Sequence, residues 1–150
     1  MANDLGKLLS FNRHNIKDPF RITLCGVDYD HHLWKALYKN FWNTLELTCH
    51  TEQSYLDLCN EKSNLVYITC LEGQSFLEYD PNAHYVMAAI CEKDVVNDFL
   101  TPKLKKLKIK RQGIPIDQHV LWHSGSKRLN LSTKIRILND IRHNKCWKEA

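Results

Sequence analysis

The chain has 150 residues, 43% of them apolar and 25% charged, which suits one globular domain and excludes a disordered or fibrous segment. No apolar run reaches the roughly 20 residues that a membrane-spanning helix needs, and Met1 to Ser10, carrying Asp4 and Lys7, has no signal-peptide core. The net charge of +4 is unevenly spread: residues 1–99 hold 8 Lys/Arg against 14 Asp/Glu, residues 100–150 hold 13 against 3, and the C-terminal third therefore reads as a polyanion-facing surface or as a solvated basic face.

In chain order, residues 21–27 predict a short buried strand. Leu33, Trp34, Leu37, Tyr38 and Phe41 then recur at helical spacing, with His31-His32 as the surface start of that helix. Residues 44–48 predict a second strand, and Thr51 predicts the N-cap of a helix carrying Tyr55, Leu56 and Leu58. Residues 65–69 predict a third strand, followed by a short helix through Phe76 and Leu77. Residues 84–91, the most continuous apolar run, predict a fourth. Thr101-Pro102 has the cap-then-proline order of a helix start, with Leu100, Leu104 and Leu107 on one face and Lys103, Lys105, Lys106 and Lys108 elsewhere. Ile114 to Ile116 predicts a fifth strand, and Leu131, Ile135, Leu138 and Ile141 mark a last, long helix. This alternation predicts an α/β domain, a parallel sheet with flanking helices, over residues 1–150.

Few motifs carry chemistry alone. Six cysteines, at 25, 49, 59, 70, 91 and 146, make no C-x-x-C clip, which argues against structural zinc and for free thiols in a reducing compartment. Five glycines form neither G-x-G-x-x-G nor a phosphate loop, and no G-x-S-x-G elbow exists. His119, His123 and Asp117 lack a fourth ligand, so no metal is expected. Trp122 reads as a loop or core anchor or as a base-stacking platform. Glu92 directly follows the fourth predicted strand, where open parallel sheets collect ligands; it reads as a proton acceptor or as a solvated strand-end carboxylate.

A set of segments adds a resemblance that covers nearly the whole chain. In order they are Asp18-Pro19-Phe20-Arg21-Ile22, Ser54-Tyr55-Leu56-Asp57-Leu58, Leu65-Val66-Tyr67-Ile68-Thr69 and Tyr85-Val86-Met87. Ile114-Pro115-Ile116-Asp117, Trp122, Gly125-Ser126-Lys127-Arg128, Ile135-Arg136-Ile137-Leu138 and Trp147-Lys148-Glu149-Ala150 follow. Together they resemble the SPOUT-class methyltransferases that modify the purine at position nine of tRNA, and within them the branch that works in animal mitochondrial ribonuclease P.

The resemblance implies a parallel sheet with a C-terminal trefoil knot and an S-adenosylmethionine site against three loops. These correspond to residues 88–92, 112–117 and 122–133, with Ala88, Ala89, Gln112, Ile114, Pro115, Ile116, Asp117, Trp122, Ser132 and Thr133 as cofactor contacts. The adenine is expected against Ile114-Pro115-Ile116 and backbone amides. Glu92 stands where the family's catalytic Asp stands.

For RNA, the expected contacts are Asn3 and Lys7 near the start, then Lys103, Lys105, Lys106, Lys108, Lys110 and Arg111, then Ser126, Lys127 and Arg128. Implied partners are tRNA and, in a mitochondrial complex, a short-chain dehydrogenase subunit and a nuclease subunit; no membrane is implied.

Departures from the family pattern leave a second reading open. Its paired small residues are Ala88-Ala89, its Asp is Glu92, its Asn or Gln in the last helix is Thr133, its Gln near the start is Lys7, and its first strand is missing. A degenerate tRNA-binding scaffold would show the same changes, since an added β-carbon blocks close approach of a ligand to backbone.

Overall fold

The computed structural model describes all residues except 1, 16, 47, 70–73, 76–77, 90–96, 122, 125–128, 145–146 and 148–150. They form two compact units, Met1–Asn60 and Glu61–Ala150.

The first unit runs α1 (Ala2–Asn15), β1 (Thr23–Cys25), α2 (His32–Leu45), β2 (Cys49–Thr51) and the single turn α3 (Tyr55–Leu58). β1 and β2 pair in parallel, Leu24 beside His50. Helices α1 and α2 pack on each other, and Leu8, Leu9, Leu37 and Leu45 are buried. Their approach depends on Gly6, where a β-carbon would overlap the Phe41 ring. Phe41 itself leaves helical geometry (φ −138°, ψ 27°), a local kink in α2. Buried Asn12 fixes the segment before β1: its Nδ2 donates to the Phe20 carbonyl (2.8 Å) and its Oδ1 accepts the Phe20 N–H (2.9 Å). His31 caps α2, its Nδ1 accepting the Leu33 N–H at 3.3 Å.

The second unit begins with a 3-10 turn (Lys62–Asn64). β3 (Leu65–Thr69), β4 (Gln74–Ser75), β5 (His84–Val86), α4 (Asn97–Lys106), β6 (Lys110–Gly113), the single turn α5 (Ile116–His119) and α6 (Leu131–Asn144) follow. The sheet order is β4-β6-β3-β5, all parallel. Every residue of β3 is buried, as a strand with neighbours on both sides and cover on both faces must be. Its Leu-Val-Tyr-Ile run supplies the β-branched and aromatic side chains that fill such a layer. Leu104 of α4 and Leu131, Ile135, Leu138 and Ile141 of α6 are buried too, the period expected of helices with one apolar face.

Several local expectations change. Residues 44–48 alternate like a strand, yet Thr44 and Leu45 are the last buried positions of α2, extending the stripe from Leu37 at helical spacing; the strand follows as Cys49–Thr51. Thr51 ends that strand and turns the chain through its Oγ1, which accepts the Gln53 N–H (3.1 Å), while Ser54 caps α3. The predicted strand over residues 84–91 is β5, which stops at Val86; its predicted end at Cys91 lies outside the described residues, as does the helix through Phe76 and Leu77.

Helix α4 starts at Asn97 rather than Thr101, with Pro102 inside it, so the Asp98 carbonyl loses its intrahelical partner. The last strand is the polar Lys110–Gly113, not Ile114–Ile116. Pro115 has no N–H for a ladder, and at φ −81°, ψ 62° it forms an inverse γ-turn closed by the Ile116 N–H on the Ile114 carbonyl (2.9 Å).

Candidate functional site

All strands of the second unit run the same way, so their exits share one edge. Register sets Val86, Tyr67 and Arg111 abreast, then Ile68 beside Gln112 and Gln112 beside Gln74, then Thr69 beside Gly113 and Gly113 beside Ser75. Beyond that line lie Met87-Ala88-Ala89 on one side of β3 and Ile114-Pro115-Ile116 on the other. Two of the three expected cofactor segments thus flank the end of the central strand, the place where parallel sheets bind ligands.

The side chains there differ in character. Ala88 and Gln112 are half-buried, Ala89 and Asp117 exposed, and Ile114, Pro115 and Ile116 buried. The Ile114 N–H donates to the Thr69 carbonyl (3.2 Å), which ties the second segment to the central strand. The expected amide contacts to an adenine are therefore left to backbone groups other than those of Ile114 and Ile116. The N–H groups of Ile114 and Ile116 are already committed within the protein, and what this segment offers is closely packed apolar surface.

Ser132 and Thr133 sit half-buried in the first turn of α6. Asn130 caps that turn, its Oδ1 accepting the Thr133 N–H at 2.8 Å. Glu92, Trp122, Ser126, Lys127 and Arg128 lie outside the described residues.

Of the expected RNA contacts, Lys103, Lys105 and Lys106 of α4, Lys108, and Lys110 of β6 are exposed, and Arg111 is half-buried. The turn between α4 and β6 has a specific form. The Ile109 N–H donates to the Leu104 carbonyl (2.9 Å) and the Lys108 N–H to the Lys105 carbonyl (3.1 Å), with Ile109 and Leu104 both buried. This is a Schellman ending. Its left-handed position, usually glycine, is Lys108 at φ 55°. Asn3 and Lys7 are exposed on α1, one helical turn apart, in the first unit.

Sequence reasoning passed over four residues here. Thr69 ends an apolar run with a buried polar side chain, and Gly113 is a lone buried glycine in a strand, a signal of close backbone approach. Asn130, three residues before Thr133, had the spacing of a helix cap. Lys134 is only 2% exposed, and nothing in its charged neighbourhood of sequence announces that burial.

Among the described residues no group of His, Cys, Asp and Glu could hold a metal ion, and no helix is long and apolar enough to cross a membrane.

Comparison with known proteins places this arrangement. The family model for tRNA (guanine(9)-N(1))-methyltransferase TRM10/TRM10A matches residues 2–150. The human protein "tRNA methyltransferase 10 homolog C" is 31% identical over 156 residues, covering 100% of this chain and 38% of its own length. "Mitochondrial ribonuclease P protein 1 homolog" of Drosophila melanogaster is 27% identical over 158 residues, 99% of this chain and 34% of its own. The chain thus spans about a third of the length of these relatives. Among solved structures, full-length spTrm10 in complex with SAH superposes with a TM-score of 0.79 at 21% identity, covering 98% of this chain and 79% of that one. spTrm10(74) superposes at 0.80 and 20% identity, with the same coverage. The α/β fold with parallel pairing is therefore the fold of those proteins.

Proposed function

Because this chain belongs to the tRNA (guanine(9)-N(1))-methyltransferase TRM10/TRM10A family, we propose that it is an S-adenosylmethionine-dependent tRNA N1-purine methyltransferase domain acting in mitochondrial tRNA processing. The observation that carries this reading is the convergence of Met87-Ala88-Ala89 and Ile114-Pro115-Ile116 on the carboxyl end of β3. A relative solved with SAH has the same fold, and a relative named for mitochondrial ribonuclease P supports the setting. In that setting tRNA is the substrate, and a short-chain dehydrogenase subunit and a nuclease subunit are the partners.

The residues present suit the cofactor. Ile114, Pro115 and Ile116 give an apolar, preformed bed for an adenine ring, and half-buried Gln112, Ser132 and Thr133 offer polar side chains from β6 and α6. When bound, S-adenosylmethionine supplies an electrophilic methyl group on a sulfonium. The protein's share is alignment with N1 of the purine and exclusion of water. N1 of guanine carries a proton that must leave, and Glu92 is assigned to accept it or to position the base. Exposed Lys103, Lys105, Lys106, Lys108 and Lys110, with Lys127 and Arg128, supply cations for the tRNA backbone.

Methyl transfer from labelled S-adenosylmethionine to a tRNA transcript with G or A at the target position tests the reading. Active wild type, with Glu92→Gln slower by roughly a hundredfold or more at nearly unchanged tRNA affinity, is the expected result. An active enzyme indifferent to Glu92→Gln rejects that carboxylate.

One observation favours a second reading, a catalytically degenerate tRNA-binding scaffold: Ala88-Ala89 set β-carbons beside the end of β3 at the positions of the family's paired small residues. Calorimetry separates the two, since saturable heat on adding S-adenosylmethionine is the enzyme's signature and its absence, with tRNA still bound, is the scaffold's.

A further inference from the structure

The segment that forms the apolar cofactor bed is short and is held at both ends. At the first, the Ile114 N–H on the Thr69 carbonyl (3.2 Å) ties it to β3. Its middle is the single turn α5, where the Gln118 N–H donates to the Pro115 carbonyl (3.2 Å) and the Val120 N–H to the Ile116 carbonyl (2.8 Å). One turn does not keep its own shape in water, since nucleation costs more than so few hydrogen bonds return. The chain beyond it faces solvent, Val120 being 51% and Leu121 89% exposed.

An aromatic ring meets the second end. His119, the last residue of α5, stacks on Trp147, which follows α6; the ring centroids are 5.2 Å apart and the planes within 8° of parallel. That geometry falls in the range of offset-stacked rings. His119 is exposed and Trp147 half-buried, so core burial does not force the pair together. Read from sequence with Asp117 and His123 as an incomplete metal set, His119 has a ring for a partner instead.

We propose that the His119–Trp147 stack is a clasp on the far end of the cofactor bed, which makes both residues positioning residues for S-adenosylmethionine; this rests on the cofactor reading above.

The backbone carries the effect. The Val120 N–H, next to His119, holds the Ile116 carbonyl, so a ring fixed at position 119 fixes the turn on which Ile116 sits. Helix α6 offers Ser132 and Thr133 from its first turn and is followed by Trp147, so the clasp joins the bed to the element that carries the polar side chains. Without the clasp the turn opens part of the time, and affinity falls by the fraction of molecules whose bed is formed.

The test is calorimetry of the whole chain with S-adenosylmethionine. His119→Ala and Trp147→Leu should each weaken binding by roughly two- to tenfold, the worth of one stacked pair. The double variant should be no weaker than the weaker single, because both remove one contact. His119→Phe keeps a ring and should bind as wild type does. Wild-type affinity in His119→Ala overturns the clasp, even where urea unfolding shows a loss of stability, because the stack is then structural alone. His119→Phe as weak as His119→Ala, or losses that multiply in the double variant, overturn it as well. Each of these leaves the cofactor reading intact, whereas a wild type that takes up no S-adenosylmethionine overturns both. Two further readouts guard against a variant that fails to fold. The Val120 amide should exchange faster in His119→Ala, and unaltered protection overturns the clasp. In unaltered protein the Trp147 indole N–H should shift by NMR on adding S-adenosylmethionine, and a signal that stays in place overturns it too.

Discussion

β1 and β3 are both short strands in parallel ladders, and they serve different ends. β1 has a single partner and no buried residue, whereas β3 is buried at all five positions between β5 and β6. A strand clamped on both edges and covered on both faces fixes where its neighbours leave the sheet, and loops held that way can position a cofactor. A two-stranded ribbon cannot stand alone and leans on its helices. The first unit accordingly leaves exposed rings, Tyr38 and Trp42, on a helix, and the second gathers the ends of its strands at one sheet edge. Charge follows the same division: residues 1–60 hold 6 Lys/Arg against 7 Asp/Glu, residues 61–150 hold 15 against 10.

The sharpest way to expose that difference is to thin both strands. Ile68→Ala removes a side chain that is 0% exposed and should cost about 2–5 kcal/mol in urea unfolding. Leu24→Ala in half-buried β1 should cost about 1–2 kcal/mol. Equal losses would erase the distinction between clamped strand and ribbon.

Gly6→Ala attacks the first unit alone. The new β-carbon meets the Phe41 ring between α1 and α2, and overpacking of this kind costs about 1–3 kcal/mol. Affinity for S-adenosylmethionine, measured by calorimetry, should stay near wild type. A fall in that affinity as large as the one Ile68→Ala causes in the same calorimetry would mean the cofactor site depends on the first unit as much as on the sheet.

Asn130→Ala removes the cap of α6 and should cost about 1 kcal/mol. Hydrogen exchange should quicken first in the opening turn, at Ser132 to Lys134, and unaltered protection there would show that the cap is idle.

The smallest effect is also the most diagnostic of a basic surface. Lys108→Gly relieves a left-handed lysine at the Schellman ending and should stabilise the second unit by about 0.5–1 kcal/mol. The same variant should lower the salt slope of tRNA binding by about 0.7–0.9 if Lys108 holds one phosphate. Gained stability with an unchanged slope would leave Lys108 as a solvated turn residue.

Much of this was legible in the chain. The β3 run, the faces of α2 and α6, and the concentration of lysines after residue 100 all follow from periodicity and count. What misled were stretches whose local pattern is real but outvoted. Thr44-Leu45-Glu46-Leu47-Thr48 alternates like a strand, yet the apolar stripe of α2 had already claimed Thr44 and Leu45. Lys110–Gly113 looks like surface and becomes an inner strand, because a ladder is made by backbone groups, and β3 and β4 supply partners on both sides. Ile114–Ile116 looks like a strand and cannot be one, because Pro115 brings no donor.

Sequence alone determined the α/β class, the helix faces, the basic C-terminal third and, through an ordered set of short segments, the family. Those features are properties of neighbours along the chain, where period and composition act directly. Tertiary structure decided that Ala88 and Ile114, far apart in sequence, leave the sheet on either side of Thr69, that the amides of Ile114 and Ile116 are spent inside the protein, and that Lys134 is buried while Tyr38 and Trp42 are not. Each of these depends on which strand lies beside which and on which helix face meets a partner, and no local pattern encodes a neighbour that only folding supplies.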